Sequence, residues 1–254
     1  MYLEELFGLK GKVAVVTGGN QGIGRSLAIG LAKAGAQLVI LSRSDASKVI
    51  KEIQEAGGDA YHIATDVTIP DQVISAVKEI ESRSKTIDVL VNNAGIAFHM
   101  DALECDTAAF RKLIETDLIG VYTTARAAAE VMIRNKTRGS IINVASVAGH
   151  IVTIPQYQCA YNTAKAGVIH MTRSLAVEWA EFGIRVNSLS PGYVATDMCI
   201  HVPMDWQEKW AAMTPLGRMA NPDEMVPAVL YMASGAASYT TGSESVVDGG
   251  YTCW

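Results

Sequence analysis

Tyr161 and Lys165 stand four residues apart in "YNTAK" (161–165), and on a helix that spacing places them one turn apart on the same face. An ammonium beside a phenol favours the phenolate. Bringing a tyrosine pKa from ~10 towards 7 requires roughly 4 kcal/mol, and a unit charge about 4 Å away in an effective dielectric of about 20 supplies a term of that order. A tyrosine so tuned can pass a proton to or from an alcohol oxygen while a hydride moves to or from a nicotinamide. The reacting oxygen also needs a fixed donor, and Ser146, in "NVASVAG" at the end of an apolar run, can supply it.

A tyrosine and a lysine at this spacing arise often by chance, so their company matters. In "VAVVTGGNQGIG" (13–24), Gly18, Gly22 and Gly24 lie between an apolar run and a helical pattern. Glycine permits a tight turn and close backbone approach, and the following helix offers unpaired N–H groups to a pyrophosphate. About twenty residues on, a dinucleotide fold that prefers NAD usually presents an acid to the ribose hydroxyls. Here "LSRSDAS" puts Ser42 and Arg43 at that place. A guanidinium binds a 2′-phosphate through charge-assisted hydrogen bonds, so NADP(H) is favoured, with NAD(H) possible. The alternative is that Arg43 is solvated and Asp45 serves the ribose; Asp45 could equally cap the next helix.

These residues need elements to hold them. Short aliphatic or β-branched runs recur at 13–17, 37–41, 60–64, 88–91, 140–144, 184–189 and 245–247, and most are separated by stretches of helical periodicity. That alternation predicts an α/β fold: a Rossmann-type, doubly wound, seven-stranded parallel sheet with helices on both faces and ligands at the carboxyl ends of the strands. In the first helix Ile23, Leu27 and Leu31 mark one face, and Gly35 is placed to end it. Long helices expected over 107–134 and 157–180 carry more small and apolar residues than one sheet-facing side needs, which predicts a subunit partner. The segment 197–216, with Trp206 and Trp210 at helical spacing, reads as a substrate lid or as a packed helix.

Composition narrows the classes. A chain of 254 residues, 49% hydrophobic and 19% charged, predicts one domain over 1–254. The apolar runs are short of a membrane span and the N-terminus lacks a leader pattern, so a cytoplasmic protein is expected. A net charge of -5 with no basic block disfavours nucleic acid. Cys105, Cys159, Cys199 and Cys253 lack metal or redox spacing, and the histidines are scattered, so reduced thiols and no metal are expected.

Together, "TGGNQGIG" (17–24), "NNAG" (92–95), Ser146, "YNTAK" and "PGYVAT" (191–196) resemble the short-chain dehydrogenase/reductase family, from about residue 8 to the C-terminus. The resemblance implies Ser146, Tyr161 and Lys165 as the catalytic group. Asp117, in "IETDLIGVY", occupies the place where the family usually has an asparagine that holds a relay water. An aspartate there could still accept from that water, but its charge would pull on Lys165. Implied cofactor contacts are Gly18, Asn20, Gln21, Gly22, Ile23 and Gly24 in the turn, then Ser42 and Arg43, with Asp66 and Val67 beside the adenine. Asn93, Ala94 and Gly95 would run along the cofactor with Tyr161, Lys165, Pro191 and Gly192, and Val194 and Thr196 would sit near the nicotinamide carboxamide. A homotetramer is also implied, with paired long helices in a bundle and Trp254 buried, its N–H paired, at a second subunit boundary.

The interval from Ser146 to Tyr161 is longer than the family usually keeps. The run "HIVTIPQYQ" (150–158), with "SLAVEWAEFGIRVNSLSPGYVATDM" and "DGGYTCW", is similar to the polyol dehydrogenases and ketose reductases of the family, such as those acting on D-arabinitol, L-sorbose and mannitol. A neutral polyol or ketose needs several uncharged hydrogen-bond partners, and His150, Gln156, Gln158, Asn162 and Tyr193 are the candidates. No arginine cluster accompanies them, which weighs against a sugar phosphate. Readings that keep the mechanism are a 3-oxoacyl thioester reductase, which would want a basic surface at the mouth, and a gluconate 5-dehydrogenase, which would want an arginine inside. A dinucleotide-binding regulator without turnover is the reading from another class.

Overall fold

The computed structural model describes residues 2–254, so the first residue of the expected domain lies outside it. Seven strands form one parallel sheet: β1 (Val13–Thr17), β2 (Gln37–Ser42), β3 (Ala60–Ala64), β4 (Val89–Asn92), β5 (Ser140–Val144), β6 (Arg185–Pro191) and β7 (Glu244–Val247). Their order is β3-β2-β1-β4-β5-β6-β7. Parallel pairing needs a crossover between neighbours, and the crossovers are α2 (Gly22–Lys33), α3 (Ser47–Glu55), α4 (Pro70–Ser84), α5 (Thr107–Ile114), α6 (Gly120–Arg134), α7 (Cys159–Trp179), α8 (Asp197–Ile200), α9 (Met204–Met213) and α10 (Val226–Ala233), after a short α1 (Tyr2–Phe7). The order reverses between β1 and β4. At such a switch point the loops diverge and leave a crevice beyond the strand ends.

Both faces of the sheet are covered, as the near-continuous apolar strands require. Alternate residues of one strand enter opposite cores. Ala14, Val16, Leu38, Ile40, Val91 and Ile142 pack under Leu27 and Leu31 of α2, Val49 and Ile53 of α3, and Val229 of α10. Val13, Val15, Val39, Leu41, Leu90 and Ile141 pack under Val73 and Ile80 of α4, Ala125, Ala128 and Met132 of α6, and Leu175 of α7. The face that starts with Ile23 is as read from sequence, and α2 ends where Gly35 turns to φ +100°, a conformation open to glycine. A buried hydrogen-bond chain fixes α7 on the sheet: the Asn92 amide donates to Asn143 Oδ1 at 3.0 Å, and the Asn143 amide donates to Thr172 Oγ1 at 2.9 Å.

Each expected strand is present within about two residues of its reading. Two expectations about the helices change. The stretch 107–134 is broken by a π-helical turn, Glu115–Ile119, that inserts between α5 and α6. The alanines of α6 read as surplus apolar surface, Ala125, Ala127, Ala128 and Ala129, are all buried within the chain. What remains outward on these helices is smaller, chiefly Tyr122 and Val177. Among the described residues, no helix is long and apolar enough to cross a membrane.

Close helix contact makes one substitution diagnostic. A Cβ added at Gly30 of α2 would lie 2.3 Å from Val226 Cγ1 of α10. On an exposed helix, alanine is favoured over glycine by about 1 kcal/mol; here overpacking reverses the sign. Gly30→Ala is expected to lower stability by ~1–3 kcal/mol in denaturant melts, and adding Val226→Ala should restore most of the loss. A Gly30→Ala chain as stable as the parent would contradict the packing of α2 on α10.

Candidate active site

Loops at the carboxyl ends of β1 to β6, together with α7, line a cleft of about 300 Å³. Its first half is built around the glycine turn. Gly18 and Gly22 have φ of +64° and +53°, and a Cβ at Gly24 would fall 2.2 Å from the Gly18 carbonyl oxygen. Asn93 clamps the turn from β4: its amide donates to the carbonyls of Thr17 and Gly18 at 3.0 and 3.3 Å. Thr17 Oγ1 in return accepts the backbone N–H groups of Asn93 and Ala94, both at 2.9 Å. The N-cap of α2, Gln21, makes no side-chain cap, so the first N–H groups of a twelve-residue helix remain available beside the cleft. Glycines without room for a Cβ and an uncapped helix start fit a pyrophosphate.

Asn20, Gln21, Ile23, Asp66, Val67, Ala94 and Gly95 line the cleft with that turn. Ser42 and Arg43 line it at the end of β2, but the Ser42 hydroxyl is already committed, donating to Ser44 O at 2.7 Å and meeting His62 Nε2 at 3.0 Å. The Arg43 guanidinium is largely exposed and 3.8 Å from Asp66. Burial alone would raise the Asp66 carboxyl, and hydrogen bonds from Thr68 and the charge of Arg43 outweigh it and lower it. Asp45 does not line the cleft. It turns to the start of α3, accepting from the Ser47 amide at 3.2 Å and hydroxyl at 2.6 Å, one residue ahead of the N-cap, Ala46, so it neither lines the cleft nor occupies the N-cap position.

In the second half, Tyr161 and Lys165 lie one turn apart near the start of α7, and Ser146 follows β5. Ser146 Oγ accepts from the Ala148 amide at 3.1 Å and lies beside the Tyr161 phenol, which it acts to lower. Lys165 Nζ lies 5.4 Å from the Tyr161 ring centroid and donates to Val144 O at 3.1 Å. The π-helical turn delivers Asp117, 0% exposed, to the same spot: Oδ2 is 3.1 Å from Lys165 Nζ, and Oδ1 accepts the Ile96 amide at 2.8 Å. Burial would lower the Lys165 ammonium, but Asp117 and then Tyr161 outweigh it and hold it above its ordinary value.

Lys165 does not bring the phenol down as its spacing suggested. Burial pushes Tyr161 up, the pull of Lys165 is opposed by Asp117, and the phenol stands above its ordinary value.

Beyond this group the wall formed by Gln156, Gln158, Tyr193 and Trp210 is uncharged and largely aromatic. Gln156 and Gln158 line the cleft, but both are internally engaged. Gln156 Nε2 donates to Tyr193 OH at 2.8 Å and Thr153 Oγ1 at 3.1 Å, while its carbonyl accepts Trp210 Nε1 at 3.1 Å. Gln158 Nε2 donates to Thr153 Oγ1 at 3.0 Å and Asn162 Oδ1 at 3.2 Å. Tyr193 stacks on Trp210 with centroids 4.1 Å apart and meets Tyr251 edge-on at 5.2 Å. Burial pushes the Tyr193 phenol well up, so it is a neutral donor. Trp210 is 1% exposed and therefore packed, while Trp206 meets His99 edge-on at 5.4 Å.

Two of the substrate candidates are not at the cleft. His150 pairs with Glu244 of β7, which also takes the Ser190 hydroxyl, and Asn162 serves Gln158. Residues at the cleft that sequence reasoning did not single out include His99 and Thr153, while Trp210, read there as part of a lid or packed helix, forms a wall. His99 follows "NNAG" in the same loop, and Thr153 lies within the long run 150–158; position in those segments was the available signal. Pro191, Gly192, Val194 and Thr196 close the cleft after β6.

Comparison with known proteins agrees with this architecture. The family model described as enoyl-(acyl carrier protein) reductase matches residues 18–252. A sorbose reductase of Candida albicans is 45% identical over 254 residues, covering 98% of this chain and 90% of that protein. A probable NADP-dependent mannitol dehydrogenase of Yarrowia lipolytica is 41% identical over 255 residues, with the same coverages of 98% and 90%. The crystal structure of a short-chain type dehydrogenase/reductase from Mycobacterium marinum superposes with a TM-score of 0.96 at 43% identity, covering 98% of this chain and 99% of that one. The glycine turn, the Ser146–Tyr161–Lys165 group and these matches over nearly the whole chain place the protein in the short-chain dehydrogenase/reductase family, the NAD(P)-dependent oxidoreductases acting on CH–OH groups.

Proposed function

We propose that this enzyme interconverts a neutral polyol and its ketose with NADP(H), using Tyr161 as general acid and base. The observation that carries the reading is the Ser146–Tyr161 pair, backed by the buried Lys165 and Asp117, at one end of a cleft whose adjoining wall is formed by the uncharged Gln156, Gln158, Tyr193 and Trp210. Among the described residues, the cations lining the cleft are Arg43 and Lys165. Arg43 lies at the end remote from Tyr161 and Lys165 is paired, so a carboxylate or phosphate on the substrate finds no free partner. That favours a sugar alcohol over gluconate or an acyl carrier, and the two curated relatives act on sorbose and mannitol by their names.

The glycine turn and the start of α2 hold the pyrophosphate, and Arg43 holds the 2′-phosphate, in keeping with the NADP-dependent relative. Asp66 and Val67 flank the adenine, and Asn93 to Gly95, Pro191, Gly192, Val194 and Thr196 enclose the rest. The nicotinamide, when bound, supplies or accepts the hydride. Tyr161 gives its proton to the carbonyl oxygen in reduction and takes the alcohol proton in oxidation. Ser146 already accepts from Ala148, and its proton, directed at the Tyr161 phenol without substrate, would turn to stabilise the same oxygen. Of the three Lys165 protons, Val144 and Asp117 engage two, and the third is left for the cofactor ribose. Asp117 takes the fourth place in the group by fixing that ammonium.

The segment 197–216 acts as a cover over the substrate, moving N-terminal to the anchor at Trp210. A homotetramer is supported by the outward Tyr122 and Val177 and by Trp254, 80% exposed in the single chain although its N–H already reaches Met213 O at 3.2 Å. The expected burial of that ring would come from a neighbouring subunit.

Assay against a panel of pentitols, hexitols, ketoses and aldonic acids should show NADP(H)-linked turnover of neutral members at least tenfold above the acids. Tyr161→Phe should cost about 10²–10⁴-fold in turnover while dinucleotide affinity stays within a few-fold. Substantial activity in that variant would sink the mechanism. Arg43→Ala should weaken NADP(H) by about tenfold or more and leave NAD(H) nearly unchanged; equal losses for both cofactors would remove Arg43 from the 2′-phosphate. For assembly, light scattering should report about four times the 27.1 kDa chain. Trp254→Ala should weaken that state without unfolding the chain, whereas a fully active monomer would refute the tetramer.

A further inference from the structure

We propose that Asp117 sets the charge of the site: by neutralising Lys165 across a buried contact it keeps Tyr161 in its protonated form and so suits the enzyme to carbonyl reduction near neutral pH. The inference rests on Tyr161 being the proton-transferring group, and it adds the direction in which the site works best.

An amide at position 117 would serve one of the two local contacts as well as a carboxylate does. Its oxygen could accept the Ile96 amide that Asp117 Oδ1 accepts at 2.8 Å. The remaining atom decides the matter: Oδ2 faces the Lys165 ammonium at 3.1 Å, where an amide would present a donor to a donor. Both side chains are almost wholly buried, at 5% and 1% exposure, so neither charge is screened by solvent. Seen from Tyr161, a lone ammonium is a positive charge that draws out the phenolic proton. The ammonium with its carboxylate is a neutral pair whose field largely cancels.

The contact is built rather than incidental. The π-helical turn Glu115–Ile119 aims Asp117 inward, and the absence of a side chain at Gly95 makes room, since a Cβ there would stand 2.7 Å from Asp117 Oδ2. The groups facing Tyr161 are Lys165 from its own helix, Asp117 from the π turn, Ser146 after β5 and Cys199 from α8. Burial, Asp117 and Cys199 raise the phenol, Lys165 and Ser146 lower it, and the raising side prevails. A phenol raised in this way stays protonated through neutral pH, ready to donate to a carbonyl. Oxidation of an alcohol needs the phenolate and is therefore expected to gain as pH rises.

The test is ultraviolet titration of tyrosinate in the substrate-free protein, with the same background carrying Tyr161→Phe subtracted to isolate one of the nine tyrosines. Two variants are compared, Asp117→Asn, which keeps an acceptor for Ile96, and Asp117→Ser, which does not. Loss of the charge should lower the Tyr161 midpoint by about one pH unit or more in both, and the acid limb of polyol oxidation should move down with it. A purely structural Asp117 would leave the Asn variant like the parent and disturb only the Ser variant. An unchanged midpoint in both, or in whichever variant folds, overturns the proposal. Because the titration needs no substrate, a shifted midpoint without polyol turnover would fault the substrate assignment and leave the charge role standing.

Discussion

A buried ammonium must be paired, and the pairing of Lys165 organises the catalytic end of this molecule. Its partners come from segments far apart in sequence: Val144 O from the end of β5, Asp117 from the π turn, and through Asp117 the Ile96 amide from the loop after β4. Breaking a buried pair by removing one partner typically costs about 3–5 kcal/mol. That cost is the penalty of leaving the other charge buried and unpaired, so it enforces the meeting of these loops without measuring a net gain in stability. The same contact fixes where α7 begins relative to the sheet, and Tyr161 with it.

Much of this was legible in the chain. Strand runs bounded by turn residues located all seven strands, because a sheet buried on both faces demands continuous apolar stretches that no helix face imitates. "TGGNQGIG" was readable because its glycines meet backbone requirements that other residues cannot, as the Gly18 oxygen 2.2 Å from a Cβ at Gly24 shows. What escaped depends on contacts between distant segments. The π turn has no periodic signature of its own, since one extra residue merely shifts the register of an otherwise helical pattern. His150 sits in the right segment, yet Glu244, ninety-four positions away, draws it aside. Asp45 and Arg43 are two apart, and only the bond to Ser47 shows which of them faces the cleft. The sign of the Tyr161 shift also needed three dimensions: sequence placed Asp117 against Lys165, but burial, the largest cause of the raised phenol, has no signal in the spacing.

The substrate half follows a different logic from the catalytic half. Glutamines that looked like ligands spend their hydrogen bonds on Trp210, Tyr193 and Thr153, so they shape the wall more than they reach from it. A buried amide with every bond satisfied rigidifies its surroundings, and here it holds an aromatic stack at 4.1 Å. Discrimination among neutral polyols then rests on shape and on the few polar atoms left free. On the proposed function, the absence of a spare cation would disfavour acids.

The two halves are joined by one stretch of backbone. Within residues 92–99, Asn92 ties β4 to Asn143 and, through it, α7; Asn93 clamps the glycine turn; Gly95 and Ile96 accommodate and hold Asp117; His99 reaches the aromatic wall. Successive residues of an extended segment point to opposite sides, so a single strand end can serve the cofactor side and the proton-transfer side in turn. This explains why the short sequence "NNAG" is informative out of proportion to its length: the side chains of Asn92 and Asn93, the backbone of Ala94 and the missing side chain of Gly95 each answer to a different neighbour between the dinucleotide cradle and the catalytic group.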